Sequence, residues 1–179
     1  MDIRRSLAAL ILLALSTDAY GDVLLTHLRP LDPFAQNALA TGRQHSAFFR
    51  SLTAIIDRSD LIVYVSTSRT LPNGVDGHLL LVAAVTGARY LRIVVSADLP
   101  PDRFVGVLGH ELMHAVEVAG DPEVRDHASL RALYVRIGHS HDGVRFDTPE
   151  AVAAGYRVLS ELRRIAIRSI RYGNVTDRR

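Results

Sequence analysis

Three short apolar segments in the middle of the chain constrain its fold more than any other feature. Residues 61–66, 78–85 and 90–96 are rich in Val, Ile, Leu and Tyr, and each has the length of a buried strand. Residues 86–89 (Thr-Gly-Ala-Arg) are typical of a hairpin connection between the second and third segments. These features predict a small mixed sheet of about three strands.

Helical patterns surround these strands. One helix is predicted from Asp32-Pro33, a favourable capping pair, to about Asp57, with Gly42 as a candidate interruption. Pro100-Pro101 ends the sheet. Three further helices are expected over about residues 102–118, 122–137 and 148–171. A small sheet packed on helices predicts an α+β fold.

The composition excludes several kinds of site. The 179 residues suit one domain, and all 21 basic residues are Arg, so lysine nucleophiles and phosphate-loop lysines are absent. The chain has no Cys, which excludes thiol catalysis, disulfides and Cys-based zinc sites. A formal net charge of +2 argues against nucleic-acid binding driven by charge alone. Any transition-metal site must therefore use His, Asp and Glu.

The first residues have the pattern of a secretory signal peptide. Arg4 and Arg5 precede an apolar run over residues 6–15, and small residues follow, so cleavage after Ala19 or Gly21 is reasonable. We therefore expect residues 1–21 to be a signal peptide and residues 22–179 to be one exported domain, in a bacterial periplasm or outside the cell. No later segment of the sequence has the length and apolar character of a membrane span.

The segment His110-Glu111-Leu112-Met113-His114 carries the most chemical information in the chain. On a helix, two histidines four residues apart lie about 40° apart around the axis and about 6 Å apart along it, so they can bind one ion. Zinc accepts His nitrogen readily and, in catalytic sites, uses three protein ligands and a water. Glu111 would lie beside that water and act as the general base.

The pattern is specific for its size. With eight His and five Glu in the chain, random placement produces about 0.01 such matches. The segment also lies within an apolar stretch that is expected to be helical, where burying three titratable groups on one turn is costly without a purpose. A helix with ordinary buried histidines is the alternative interpretation.

Residues 107–116 (Val-Leu-Gly-His-Glu-Leu-Met-His-Ala-Val) resemble the active-site helix of the zincin metallopeptidases. The resemblance implies that His110 and His114 bind zinc, that Glu111 is the general base, and that an edge strand of a preceding sheet holds an extended substrate. The metzincin branch has a Gly three residues after the second His and a third His three residues later. Here those positions hold Glu117 and Gly120, so the resemblance favours a gluzincin-like site, completed by a carboxylate from a later helix.

Several residues are candidates for the third metal ligand. Asp147 is preferred, and Glu150 is the main alternative, since both lie at the start of the last helix. Glu117 lies on the same helical face as His110, but it is about 10 Å further along the axis, which favours an indirect role. Weaker candidates are Glu123, Asp126, His127 and the loop His139-Ser140-His141-Asp142, which could also donate to an oxyanion.

Other polar residues have weaker patterns. Tyr134 and Tyr156 flank the same region and are expected to serve packing, with transition-state stabilisation as the alternative. His27, His45 and His78 have no partner pattern and are given no role.

These features predict a hydrolase that uses one zinc ion and acts on a peptide or protein substrate. The alternative is an exported zincin-like module that binds a partner or serves a structural purpose without catalysis. The intact Glu111 favours the enzyme, since a structural zinc site does not need a general base.

Overall fold

The computed structural model describes residues 26–72, 74–140 and 146–176, with side chains described as far as Ile165. The expected signal peptide at residues 1–21 lies outside the described residues. The elements follow one another as β1 (Leu28–Pro30), α1 (Pro33–His45), α2 (Ala47–Ile56), β2 (Leu61–Ser68), β3 (Gly77–Val85), β4 (Ala88–Ser96), α3 (Pro101–Ala119), α4 (His127–Ile137) and α5 (Pro149–Thr176). The chain therefore has an α+β fold, as predicted.

The four strands form one mixed sheet in the order β1-β2-β4-β3. Strands β1, β2 and β4 run parallel, whereas β3 pairs antiparallel with β4 and forms one edge. The turn between β3 and β4 contains Gly87, whose φ of 82° lies in the left-handed region that glycine adopts most readily. The sequence predicted about three strands; the additional strand β1 has only three residues and pairs with β2.

Apolar side chains on one face of the sheet form the core together with the helices. Val63, Val65, Leu91 and Ile93 are fully buried, and the register pairs Val63 with Leu91 and Val65 with Ile93. Because successive residues of a strand alternate between faces, these four side chains lie on the same face. Helices α1 and α3 contact the sheet, and α5 packs on α1, α2 and α3 behind them.

The first helical region is divided at Ser46, which corrects the prediction of one helix with an interruption at Gly42. The buried Ser46 hydroxyl accepts the Phe49 amide at 2.9 Å and so begins α2. Gly42 instead lies within α1, where a Cβ atom would be 2.7 Å from the Phe49 ring. The glycine therefore makes room for an aromatic side chain.

Helix α4 begins at His127, five residues later than the predicted start at Pro122. The Asp126 side chain accepts the Ser129 amide, and the Ser129 hydroxyl in turn receives the Asp126 amide. This reciprocal capping box satisfies amide groups that have no partner within the helix, so it sets the point where α4 begins.

Helices α3 and α5 cross closely where both carry glycine. A Cβ atom at Gly155 would lie 3.2 Å from the carbonyl oxygen of Gly106 and 3.2 Å from Cβ of His110. At Gly109 an added Cβ would be 2.7 Å from Val158. This crossing brings the start of α5 close to the histidines of α3.

Arg89 connects the sheet to the end of α3. Its side chain is 1% exposed and forms a two-point ion pair with Asp60, with N···O distances of 2.7 and 2.8 Å. Its Nη1 atom also donates to the carbonyl oxygens of Val118 and Asp121 at 2.8 and 2.7 Å. These bonds add a charged donor to two carbonyl groups at the end of α3, which also accept the backbone amides of Asp121 and Val124.

No helix among the described residues is both long enough and apolar enough to span a bilayer.

Candidate metal centre

Helix α3 brings the two motif histidines together. His110 and His114 are one turn apart, and their Nε2 atoms lie 3.1 Å from each other. Their rings meet edge to face, with centroids 4.8 Å apart. Each imidazole therefore directs its Nε2 atom to the same point beside the helix.

Asp147 approaches the same point from the segment before α5. Its Oδ1 atom lies 3.3 Å from Nε2 of His110 and 3.8 Å from Nε2 of His114. Ligand atoms arranged tetrahedrally at zinc-ligand distances of 2.0–2.1 Å lie about 3.3 Å apart. The three separations between the ligand atoms, 3.1, 3.3 and 3.8 Å, lie on both sides of this value. His110, His114 and Asp147 therefore form a group that could hold a metal ion.

The backbone of Asp147 is anchored on the end of α4. Its amide and carbonyl groups exchange hydrogen bonds with those of His139, at 2.9 and 2.8 Å, in an isolated β-bridge. Gly138 makes this approach possible, because a Cβ atom there would lie 2.8 Å from the Asp147 carbonyl oxygen. The half-exposed carboxylate therefore belongs to a residue whose backbone is paired with that of His139.

A buried carboxylate orients His114. The Oε2 atom of Glu117 lies 2.8 Å from Nδ1 of His114, and Oε1 of Glu117 accepts the Thr148 hydroxyl at 2.5 Å. A carboxylate on Nδ1 favours the tautomer that protonates this nitrogen and leaves Nε2 free to accept a metal. The structure therefore places Glu117 behind a candidate ligand.

Burial and neighbouring charge move the pKa values of the two histidines in opposite directions. Desolvation lowers the pKa of His110, and the adjacent His114 lowers it further. Desolvation would also lower the pKa of His114, but the hydrogen bond to Glu117 and the surrounding carboxylates raise it overall.

The general-base candidate Glu111 is 4% exposed and lines the same pocket. Burial raises the pKa of Glu111 to about 7, against the opposing effect of His114. A carboxyl group that titrates near neutrality can both accept and release a proton at physiological pH. Its Oε1 atom lies next to β3, 2.9 Å from where a Cβ atom of Gly77 would be.

An open pocket of about 900 Å³ lies over these residues. Edge strand β3 contributes one wall through residues 77–80, and helix α4 contributes another. Tyr134 of α4 packs its ring against that of His114, with centroids 5.2 Å apart, and its hydroxyl donates to the His114 carbonyl oxygen at 3.3 Å. Burial raises the pKa of Tyr134 above its ordinary value. Tyr134 was expected to serve packing, and it packs against His114, a candidate metal ligand.

The other described residues that the sequence offered as site candidates lie outside the group formed by His110, His114 and Asp147. Glu150 is exposed in the first turn of α5 and does not belong to the metal-binding group found among the described residues. His127 and His139 line the pocket, whereas Asp126 caps α4 and Tyr156 is exposed. Other predicted residues are exposed or lie outside the described part of the chain: Glu123 is exposed, and His141 and Asp142 are not described.

Sequence reasoning missed two residues that shape the site. Gly77 allows β3 to lie against Glu111, and Thr148 joins Glu117 to the start of α5. The only sequence signal for Thr148 was its position before Pro149, typical of a helix start. Gly77 had no signal, because its importance depends on a contact across 34 residues of sequence.

Comparisons with protein-family models, with curated proteins and with solved structures each found no match for this chain.

Proposed function

We propose that this protein is a zinc-dependent peptidase of the zincin type. The observation that supports it best is the convergence of His110, His114 and Asp147 within 4.8 Å of one another, beside the carboxylate of Glu111. Two imidazoles and one carboxylate are a ligand set that catalytic zinc uses. The pocket above them is open to substrate.

Each residue has a distinct task in this proposal. When bound, zinc polarises the substrate carbonyl and lowers the pKa of a water to about 7. Glu111 accepts a proton from the attacking water as its oxygen bonds to the carbonyl carbon. Glu111 then transfers that proton to the leaving amine nitrogen as the peptide C–N bond breaks.

The edge strand supports a peptide as the substrate. Among the described residues strand β3 pairs only with β4, and its residues Gly77–Leu80 line the pocket next to Glu111. An extended peptide can add to such an edge through main-chain hydrogen bonds. A scissile bond held there would lie beside the general base.

The expected signal sequence makes export part of the same proposal. The alternative is an exported zincin-like module that binds a metal or a partner without catalysis. It would share the metal ligands but make no use of the proton transfer assigned to Glu111.

Metal analysis combined with a peptide library tests the proposal. We expect one zinc ion per chain, and hydrolysis that stops on chelation and returns when zinc is restored. Absence of metal binding would remove the basis of the site. Stoichiometric zinc without hydrolysis of any library member would favour the non-catalytic alternative.

A further inference from the structure

The hydroxyl of Thr148 makes two contacts that serve different parts of the molecule. It accepts the amide of Ala151 at 3.1 Å, which caps the first turn of α5. It also donates to Oε1 of Glu117 at 2.5 Å, and Glu117 contacts Nδ1 of His114. Thr148 is 1% exposed, so neither contact is readily replaced by water.

The backbone of Thr148 acts on the other side of the same site. Its amide donates to Oδ1 of Asp147 at 2.8 Å, the same oxygen that lies 3.3 Å from Nε2 of His110. One residue therefore contacts a carboxylate of the candidate metal group directly, and reaches a histidine of that group through Glu117.

We propose that Thr148 is a positioning residue that couples metal binding to the docking of the first turn of α5 on α3. The inference rests on the metal site of the proposed function. If α5 shifts at its start, Asp147 moves away from the histidines and Glu117 loses the donor that orients it. Conversely, a metal that holds Asp147 against His110 and His114 stabilises the capped turn.

The chain contains a matched control for this arrangement. Ser46 is also fully buried, caps a helix through the amide of Phe49, and donates to a glutamate, Glu161, at 2.7 Å. The Ser46 contacts join α2 to α5 without including a candidate metal ligand. Loss of either hydroxyl removes one cap and one hydrogen bond to a glutamate, but only Thr148 is connected to the metal group.

The experiment measures zinc affinity in the full chain by competition with a chromogenic chelator, under conditions where each apo-protein is folded. Thr148→Val removes the hydroxyl at nearly constant volume, and Thr148→Ser retains it. Loss of an interaction behind a metal ligand typically weakens affinity about 10- to 100-fold. We expect a loss in that range for Thr148→Val, near wild-type affinity for Thr148→Ser, and unchanged affinity for Ser46→Ala.

Hydrogen exchange supplies a second measurement, independent of activity. Zinc should slow exchange of the Ala151 amide about tenfold more than that of the Phe49 amide, the equivalent capped amide of α2. In Thr148→Val this difference should disappear.

If Thr148→Val does not fold, Glu117→Gln replaces it, since the amide oxygen can still accept from Thr148 while the negative charge beside His114 is lost. We expect zinc affinity to fall there as well. Wild-type affinity in a folded Thr148→Val or Glu117→Gln variant would overturn the coupling and leave the metal site intact. Wild-type protein that binds no zinc would instead refute the proposed function.

Discussion

Gly77 of β3 and Glu111 of α3 approach each other so closely that a Cβ atom at position 77 would lie 2.9 Å from Oε1 of Glu111. The same Cβ atom would lie 2.8 Å from Cγ1 of Val107. Glycine at this position therefore allows the edge strand to pass directly beside the proposed general base.

Gly77→Ala is expected to displace Glu111 while leaving the three metal ligands in place. A misplacement of about 1 Å can reduce the rate of a catalysed reaction about 100-fold, so peptide hydrolysis should fall by up to that factor with zinc content unchanged. Gly120→Ala is the control, because its added Cβ would make only an ordinary contact at 3.5 Å. Full activity in Gly77→Ala would show that the contact does not position Glu111.

Glu111→Gln is expected to retain zinc and lose turnover. The amide cannot accept the proton of the attacking water, and loss of a general base typically costs about 100- to 10,000-fold in rate. Zinc content and hydrolysis of a peptide substrate should be measured on the same preparation. A fully active variant would contradict the mechanism, whereas a variant without zinc would show that Glu111 also supports metal binding.

His114→Ala is expected to abolish stoichiometric zinc binding and activity together, because it removes one of the three converging ligand atoms. His127→Ala is the matched control, since His127 lines the same pocket without belonging to the metal-binding group. The check is metal analysis after dialysis. Equal zinc content in the two variants would eliminate the ligand assignment.

Arg89→Met is expected to destabilise the fold without a direct effect on the metal group. Asp60, the partner that would remain, is 36% exposed, so the cost is that of losing hydrogen bonds to a charged group, typically about 1.5–3 kcal/mol. The carbonyl groups of Val118 and Asp121 would also each lose one donor. Chemical denaturation of the apo-protein measures this loss. Arg92→Met, an exposed change on the same strand, should have little effect; equal losses in both variants would contradict the role assigned to Arg89.

Asp60 should contribute a pH-dependent part of the stability. The hydrogen bond with Arg89 holds the pKa of Asp60 below its ordinary value of 3.8. Because the folded state binds the proton less tightly than the unfolded state, this contribution is complete above the unfolded pKa. It is lost as the pH falls through the folded pKa.

Denaturation midpoints between about pH 5 and about pH 2 test this effect. The wild-type protein should lose stability more steeply on acidification than Asp60→Asn, in which position 60 does not titrate. Parallel curves for the two proteins would mean that the ion pair does not shift the titration of Asp60 in the folded state.

Local patterns were sufficient for much of the fold. The three segments predicted as strands lie within β2, β3 and β4, since their β-branched and apolar composition agrees with their burial. The position at which the first helical region is divided was less predictable. Gly42 suggested an interruption, but the buried cap at Ser46, supported by Glu161 from α5, sets the actual division. That partner is 115 residues away in sequence.

By itself, the sequence determined that two imidazoles and one carboxylate share a single turn of an apolar helix, because a helical repeat relates residues four apart whatever surrounds them. Only the tertiary structure decided which distant residues meet them. Asp147 rather than Glu150 joins the histidines, because the Thr148 cap leaves Asp147 just outside α5 and the bridge to His139 anchors its backbone. The glycine-mediated crossing of α3 and α5 brings that segment to the site, and contacts between residues so far apart follow from packing rather than from local pattern.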